Sequence, residues 1–484
     1  MARNLTLLTD LYELTMMQGY FYEKDRNESV IFDAFYRTNP DGNGFAVCAG
    51  LEQVIELLNN LHFSEEDVAY LRSTGLFREE FLDYLKDFKF TGNVYAIPEG
   101  TYIFPREPIV KVIAPIMEAQ LVETALLNII NHQCLIATKA YRIVHAAQGD
   151  GVMEFGLRRA QGPDAGIYGA RAAMIAGCVG TSNVLTGQMF DVPVMGTHAH
   201  SWIMSFPDEL TAFTTYARMY PNACTLLVDT YDTLKSGVPN AIKTFDLMKE
   251  EGVKLTSYGI RLDSGDLAYL SKKARKMLDD AGYPDAKICA SNDLDEYLIA
   301  SLKNQGAAIN SWGVGTNLIT SKDCPSFGGV YKLAAIKDKE TDHFVPKIKL
   351  SENAEKITNP GNKTIYRFYS NEDNKIIADL ICFAKEEIDE TQDYVLFDPI
   401  ETWKKTKLKG GTYHVREMMV KIFSHGECVY KSPSVKELRE TFKKELDTLY
   451  EESKRLQNPH KIHVDLSQKL WDTKQELLAK YHAE

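Results

Sequence analysis

Short apolar runs alternate along this chain with stretches in which apolar residues recur every three or four positions, the pattern of strands separated by amphipathic helices. The pattern changes character twice, which predicts domains at 1–118, 119–333 and 334–484. In the first, Asp10 stands where it could cap a helix from Leu11 to Tyr22. Val30–Tyr36, Phe45–Gly50, Val94–Ile97 and Ile109–Ile113 read as strands, and Gly50–Leu61, Asp67–Leu71 and Glu79–Leu85 have helical spacing. An α+β region with antiparallel pairing is expected.

From 119 to 333, strands and helices alternate. The strand candidates are Gly151–Phe155, Val192–Met195, Thr225–Val228, Gly259–Leu262, Lys287–Ala290 and Asn310–Val314. Between them Phe206–Met219, Val238–Glu251, Ala268–Ala281 and Leu294–Asn304 read as helices. This predicts parallel βαβ units. Polar motifs follow the strand ends, where barrels project their catalytic groups, so an irregular (β/α) barrel is favoured over an open sheet. Two more strands must then come from less obvious sequence. The last region is richer in Lys, Glu, Asp and Asn and has turns at Asn359-Pro360-Gly361 and Lys409-Gly410-Gly411. It ends in helical stretches Val435–Leu456 and Leu466–Tyr481, the first with a packing stripe of Leu438, Phe442, Leu446 and Tyr450.

Composition narrows the class. With 484 residues, 44% of them hydrophobic and 25% charged, the chain reads as globular with more than one core. A formal charge of −12 opposes a nucleic-acid surface, yet leaves room for an anion held by a few cations and backbone amides. No apolar run reaches bilayer length, and the start, Met1–Leu5, lacks the apolar core of a signal peptide. Eight scattered cysteines without CxxC spacing, among them Cys48, Cys178 and Cys289 in small or apolar surroundings, fit a reducing cytoplasm.

The candidate chemistry lies just past the strands. Gly196-Thr197-His198-Ala199-His200-Ser201 places two histidines at i and i+2 where the run 192–195 breaks off. In Glu154-Phe155-Gly156-Leu157-Arg158-Arg159-Ala160 the adjacent arginines can grip an anion in bidentate fashion, or one simply bonds a neighbouring carboxylate. Asp229, in Asp229-Thr230-Tyr231-Asp232, can accept ribose hydroxyls, hold Mg²⁺ or cap the following helix. Arg261 and Asp263 alternate on one strand and so point to the same side, into the barrel mouth. Placed there, a cation and a carboxylate are costly unless they meet a ligand or each other. Gly313-Val314-Gly315-Thr316 and Ser326-Phe327-Gly328-Gly329-Val330 read either as turns or as a phosphate cradle backed by a helix N-terminus.

Together with Thr9-Asp10-Leu11-Tyr12, Gln161-Gly162-Pro163 and Gly328–Leu333, these motifs resemble, in this order and along nearly the whole chain, the nicotinate phosphoribosyltransferase family. The resemblance implies a type II phosphoribosyltransferase fold: an irregular α/β barrel with an N-terminal domain and a C-terminal extension, assembled as a dimer. It implies that nicotinate and 5-phosphoribosyl 1-diphosphate give nicotinate mononucleotide and diphosphate in NAD salvage, with Mg²⁺ present and ATP hydrolysis coupled, a transfer classed with the ligases. By the same resemblance His200 corresponds to a histidine phosphorylated by ATP, and His198 to a supporting position not always histidine. Phe155, with Tyr12 of the partner subunit, corresponds to the aromatics that sandwich the pyridine ring. Arg158, Thr197 and Arg261 fall near the substrate's carboxylate and phosphates, and Asp229 and Asp263 at ribose or Mg²⁺ positions. Gly315, Thr316, Gly328 and Gly329 match the 5′-phosphate cradle. Ser182, in Gly180-Thr181-Ser182-Asn183, stands where amide-using relatives tend to carry aspartate, so an acid is the expected substrate. The nearest alternative is a nicotinamide-preferring transferase of the same fold. A phosphate-binding lyase or isomerase barrel is the more distant one; it would show a Schiff-base lysine at a strand end, and none of the strand ends above carries one.

Overall fold

The computed structural model describes residues 4–353 and 356–482; the first three residues of the Met1–Leu5 start lie outside the described residues. The chain divides into two compact units, Met1–Leu135 with Ser326–Glu484, and Ile136–Pro325. The two ends of the sequence thus form one unit and the middle forms the other.

In the first unit, a seven-stranded antiparallel sheet runs in the order Phe344–Pro346, Gly329–Lys337, Ser29–Tyr36, Val110–Pro115, Asn93–Ala96, Val420–Ser424, Glu427–Cys428. Its third strand, Ser29–Tyr36, is apolar and buried along most of its length. The exception is Asp33, whose carboxylate meets Lys363 Nζ at 2.7 Å, which offsets the cost of burying either charge. One core joins Leu14, Phe32 and Val112 from the N-terminal segment to Ile365, Phe423 and Leu470 from the C-terminal one. A second sheet, ordered Tyr413–Glu417, Lys363–Ser370, Ile376–Phe383, His463–Leu466, buries Arg367 in a bidentate bond to Asp379.

Several expectations need correction here. The helix Leu11–Glu23 forms, but the Asp10 side chain does not cap it and instead accepts from Thr124 Oγ1 at 3.1 Å. Of the Phe45–Gly50 run only Ala46–Val47 pairs as strand. The stripe on the C-terminal helix Val435–Asp447 holds for Leu438 and Phe442. Tyr450 lies past that helix's end and is exposed, while Glu445 is buried against Arg416.

The second unit carries a six-stranded sheet, parallel throughout, ordered Gly180–Thr181, Gly151–Glu154, Ser311–Val314, Lys287–Ala290, Tyr258–Leu262, Cys224–Leu227. Its first strand in sequence, Gly151–Glu154, pairs with its last, Ser311–Val314. That pairing curls the sheet into an irregular half-barrel whose free edges are Gly180–Thr181 and Cys224–Leu227. Val192–Met195 is not the buried strand expected. It contributes one bridge, Thr181 to Val194, and Val194 and Met195 are exposed. Helices Glu209–Met219, Val238–Glu250, Leu267–Asp280 and Glu296–Asn304 fall where the helical spacing placed them. Asp208, Asp266 and Asp295 cap three of them through their carboxylates, accepting N–H bonds in the first turn.

Glu13, on the inner face of helix Leu11–Glu23, is fully buried and accepts from Thr124 N, Thr124 Oγ1 and Thr9 Oγ1. Burial pushes its carboxyl up to about 7 from the ordinary 4.5, although the threonine bonds pull the other way. The folded state therefore holds a proton that the unfolded chain releases. The stabilisation from the neutral form is complete below 4.5 and is lost as the pH climbs through 7. Glu13→Gln keeps the neutral hydrogen-bonding pattern. In denaturant unfolding it is expected to match the parent at pH 4 and to exceed it by about 1–2 kcal/mol at pH 8; an equal offset at both pH values would contradict the assignment.

Candidate active site

The C-terminal ends of the parallel strands surround a cavity of about 370 Å³, lined by Phe155, Arg158, Ser182, Thr197, His198, His200, Arg261 and Asp263 among others. All of these residues belong to the second unit.

Arg261, on strand Tyr258–Leu262, holds the site together. Its Nε donates to Ser291 Oγ at 2.8 Å, its Nη1 to Thr197 Oγ1 at 2.8 Å and its Nη2 to Asp263 Oδ1 at 2.7 Å. Ser291 Oγ donates to the same Asp263 oxygen. The pair expected from alternation on the strand is thus formed, and each partner supplies the countercharge the other needs. Nη1 and Nη2 each keep a second N–H beyond these bonds. The guanidinium also lies 5.9 Å from the centroid of the Phe155 ring.

Asp229 closes the next layer. Its Oδ2 accepts from Asp263 N at 2.9 Å and from Ser264 Oγ at 2.6 Å, while Oδ1 is buried with no hydrogen-bond partner. The helix-capping alternative for Asp229 falls away. Asp232 takes that part, accepting from Leu234 N and Lys235 N. His200 opens the short helix His200–Met204, with Nδ1 3.0 Å from Thr230 Oγ1 and Nε2 4.0 Å from Asp263 Oδ2. Arg158 sits exposed in the turn Leu157–Arg159 and lines the cavity; no carboxylate among the described residues is paired with it, and Arg159 does not line the cavity.

Three contributors escaped the sequence reading. Glu154, buried at the end of its strand, accepts from Gly156 N and Thr181 Oγ1 and so ties the Phe155 turn to the Ser182 loop. Burial raises its carboxyl above the ordinary range. A lone acid closing an apolar strand was the available signal. Ser291 and Thr230 each follow a strand end, but their short neutral side chains carry no mark of their own. Ser291 is followed by Asn292 and Asp293, both with positive φ, 91° and 41°, a conformation that side chains rarely adopt.

The glycine motifs need revision. A Cβ at Gly313 would strike the Phe155 ring, so that glycine makes room for the aromatic. Gly315 precedes and Thr316 begins a helix of only four residues, Thr316–Ile319, which supplies little dipole. Gly328 and Gly329 lead into the strand Gly329–Lys337, with no helix after them, and they belong to the first unit, whereas Gly315 and Thr316 belong to the second. Tyr12, also of the first unit, stands on the exposed face of helix Leu11–Glu23.

Comparison with known proteins then decides the family. Residues 7–131 match the N-terminal domain of nicotinate phosphoribosyltransferases, 151–377 the nicotinate phosphoribosyltransferase (NAPRTase) family and 362–474 the C-terminal domain. The chain belongs to the nicotinate phosphoribosyltransferase family. The nicotinate phosphoribosyltransferase of Bacillus subtilis is 45% identical over 473 residues, which cover 98% of this chain and 95% of that protein. The human nicotinate phosphoribosyltransferase is 31% identical over 96% of this chain and 95% of its own length. A crystal structure of the human nicotinic acid phosphoribosyltransferase superposes with a TM-score of 0.83 at 29% identity, covering 97% of this chain and 100% of that one. Nicotinate-nucleotide pyrophosphorylase from Pyrococcus furiosus, 22% identical with a TM-score of 0.68, shares the fold.

Proposed function

We propose that this chain, an enzyme of the nicotinate phosphoribosyltransferase family, joins nicotinate to 5-phosphoribosyl 1-diphosphate in NAD salvage and couples the transfer to ATP hydrolysis. The observation that carries the reading is the convergence of Arg261, Asp263, Phe155 and His200 on one cavity, a cation, a carboxylate, a flat ring and a nucleophilic imidazole. The pyridine ring stacks on Phe155, with Tyr12 of the partner subunit on its other face. Arg158 and the free N–H groups of Arg261 take the anionic groups of the substrates. The pyridine nitrogen attacks C1 of the ribose, and diphosphate leaves with the bonding pair. That nitrogen carries no proton, so no general base is required. Held in line, the reactants gain much of their rate from positioning.

Mg²⁺ fits the donor set. Asp229 has an unpartnered buried oxygen that would hold the ion, and no group of three His, Cys, Asp or Glu among the described residues could hold a metal alone. When bound, the ion neutralises charge on the leaving diphosphate. His200 accepts the γ-phosphoryl group of ATP: a P–N bond forms at Nε2, the P–O bond to ADP breaks, and water later releases phosphate. Thr230 holding Nδ1 favours Nε2 as the nucleophile. Gly315 and Thr316, on the second unit, bind the 5′-phosphate through backbone N–H groups.

A homodimer is supported by apolar side chains left exposed on each unit: Val184, Leu185, Met189 and Val194 on the second, Leu8, Leu11 and Met16 on the first. A cytoplasmic setting is supported by eight free thiols. No helix among the described residues is long and apolar enough to cross a membrane.

Two measurements test the reading. Incubation with γ-labelled ATP is expected to leave acid-labile phosphate on His200; His200→Ala is expected to take no label and to lose ATP stimulation of the transfer, and full stimulation in that variant would overturn the coupling. Ser182→Asp places a carboxylate beside the substrate's own, and is expected to shift the nicotinate-to-nicotinamide preference at least about tenfold toward the amide. An unchanged preference would remove Ser182 from substrate selection.

A further inference from the structure

The half-barrel leaves strand Cys224–Leu227 at a free edge, and that edge has a hydrogen-bonding problem. Cys224 N and Val228 N donate to Ser257 O and Arg261 O, on the side of strand Tyr258–Leu262. Alternation along the strand then turns the Leu227 N–H outward, away from every ladder partner. Leu227 is 1% exposed, so water does not reach that N–H, and an orphaned donor there would cost about 1–3 kcal/mol. No backbone carbonyl among the described residues answers it. The imidazole of His198 does, with Nε2 accepting at 3.3 Å. Tyr216 meets the imidazole edge-on at 4.8 Å between centroids, and Phe213 packs beside it.

We propose that His198 is a positioning residue whose neutral imidazole stands in for the missing strand at Leu227 and so fixes the segment that presents Thr197 to Arg261 and His200 to Thr230. The three roles fall within four residues of the chain. Thr197, one residue before, receives Arg261 Nη1. His200, two residues after, begins the helix and meets Thr230. Thr230 follows Leu227, the strand's last residue, by three positions, so anchoring His198 at one sets the height of His200 at the other. Acceptance at Nε2 requires that nitrogen to be bare. Burial drives the His198 pKa down to about 4 against the pull of the Ala199 backbone, and the nearby charges of Arg261 and His200 add to the lowering. His198 therefore adds no second cation beside Arg261.

This inference rests on the transfer reaction proposed above for its kinetic consequence, but not for its structural claim, and the test separates the two. His198→Leu fills the space without an acceptor, and His198→Gln restores an acceptor near the position of Nε2. His198→Leu is expected to lower kcat at least about tenfold, and His198→Gln to recover it to within about threefold of the parent. A purely structural filler would give the reverse order. In a long-range ¹H–¹⁵N spectrum of histidine-labelled parent protein, the signals lost in His198→Gln are expected to report an unprotonated Nε2 and a protonated Nδ1 at pH 7. Equal kcat in the two variants, or a proton on Nε2, would overturn the proposal. Were the parent to show no transfer at all, the functional reading would fail while the tautomer still decided the role of His198.

Discussion

A permanent cation held at the mouth of an incomplete parallel barrel is the constraint on which the second unit depends. Arg261 cannot shed its charge, so the sheet must supply a carboxylate and hydroxyls at fixed places around it. Asp263 comes from the same strand two residues on, Ser291 from the next strand's end and Thr197 from the loop at the open seam. Three segments far apart in sequence are thereby pinned to one guanidinium. Asp229 then fixes Asp263 through its backbone N–H, and the Thr230 that follows Asp229 meets His200. The pocket is a chain of polar contacts anchored at one point.

Most of the fold was legible because its strands bury both faces and read as apolar runs. Gly151–Glu154, Cys224–Leu227, Tyr258–Leu262, Lys287–Ala290 and Ser311–Val314 stand within two residues of their expected positions. Val192–Met195 carries the same apolar signal and pairs through one bridge only. An apolar run reports a preference for burial but not which surface provides it. The two-residue strand Gly180–Thr181 failed for the opposite reason: it is too short to show any period. The joining of the two chain ends into one unit was invisible, since pairings such as Val30 with Ile336 span the whole middle of the sequence.

At the site, charged and ring-bearing residues announced themselves, and small neutral ones did not. Arg261 with Asp263, and the two histidines, were readable from spacing alone. Ser291 and Thr230 were not, because a hydroxyl gains its meaning from what it faces. Asp229 and Asp232 presented two equivalent carboxylates, and only geometry assigned capping to one and the site to the other. The glycines were the least decipherable. Gly313 accommodates a ring, which composition cannot distinguish from closeness to a phosphate.

The most direct measurement is a double-mutant cycle on Arg261→Gln and Asp263→Asn, read as kcat/KM for nicotinate mononucleotide formation. If the two side chains act as one organising pair, the double variant loses little beyond the worse single variant, giving a coupling of at least about 1 kcal/mol. Losses that simply add would mean that the two groups serve the pocket independently, and would contradict the account.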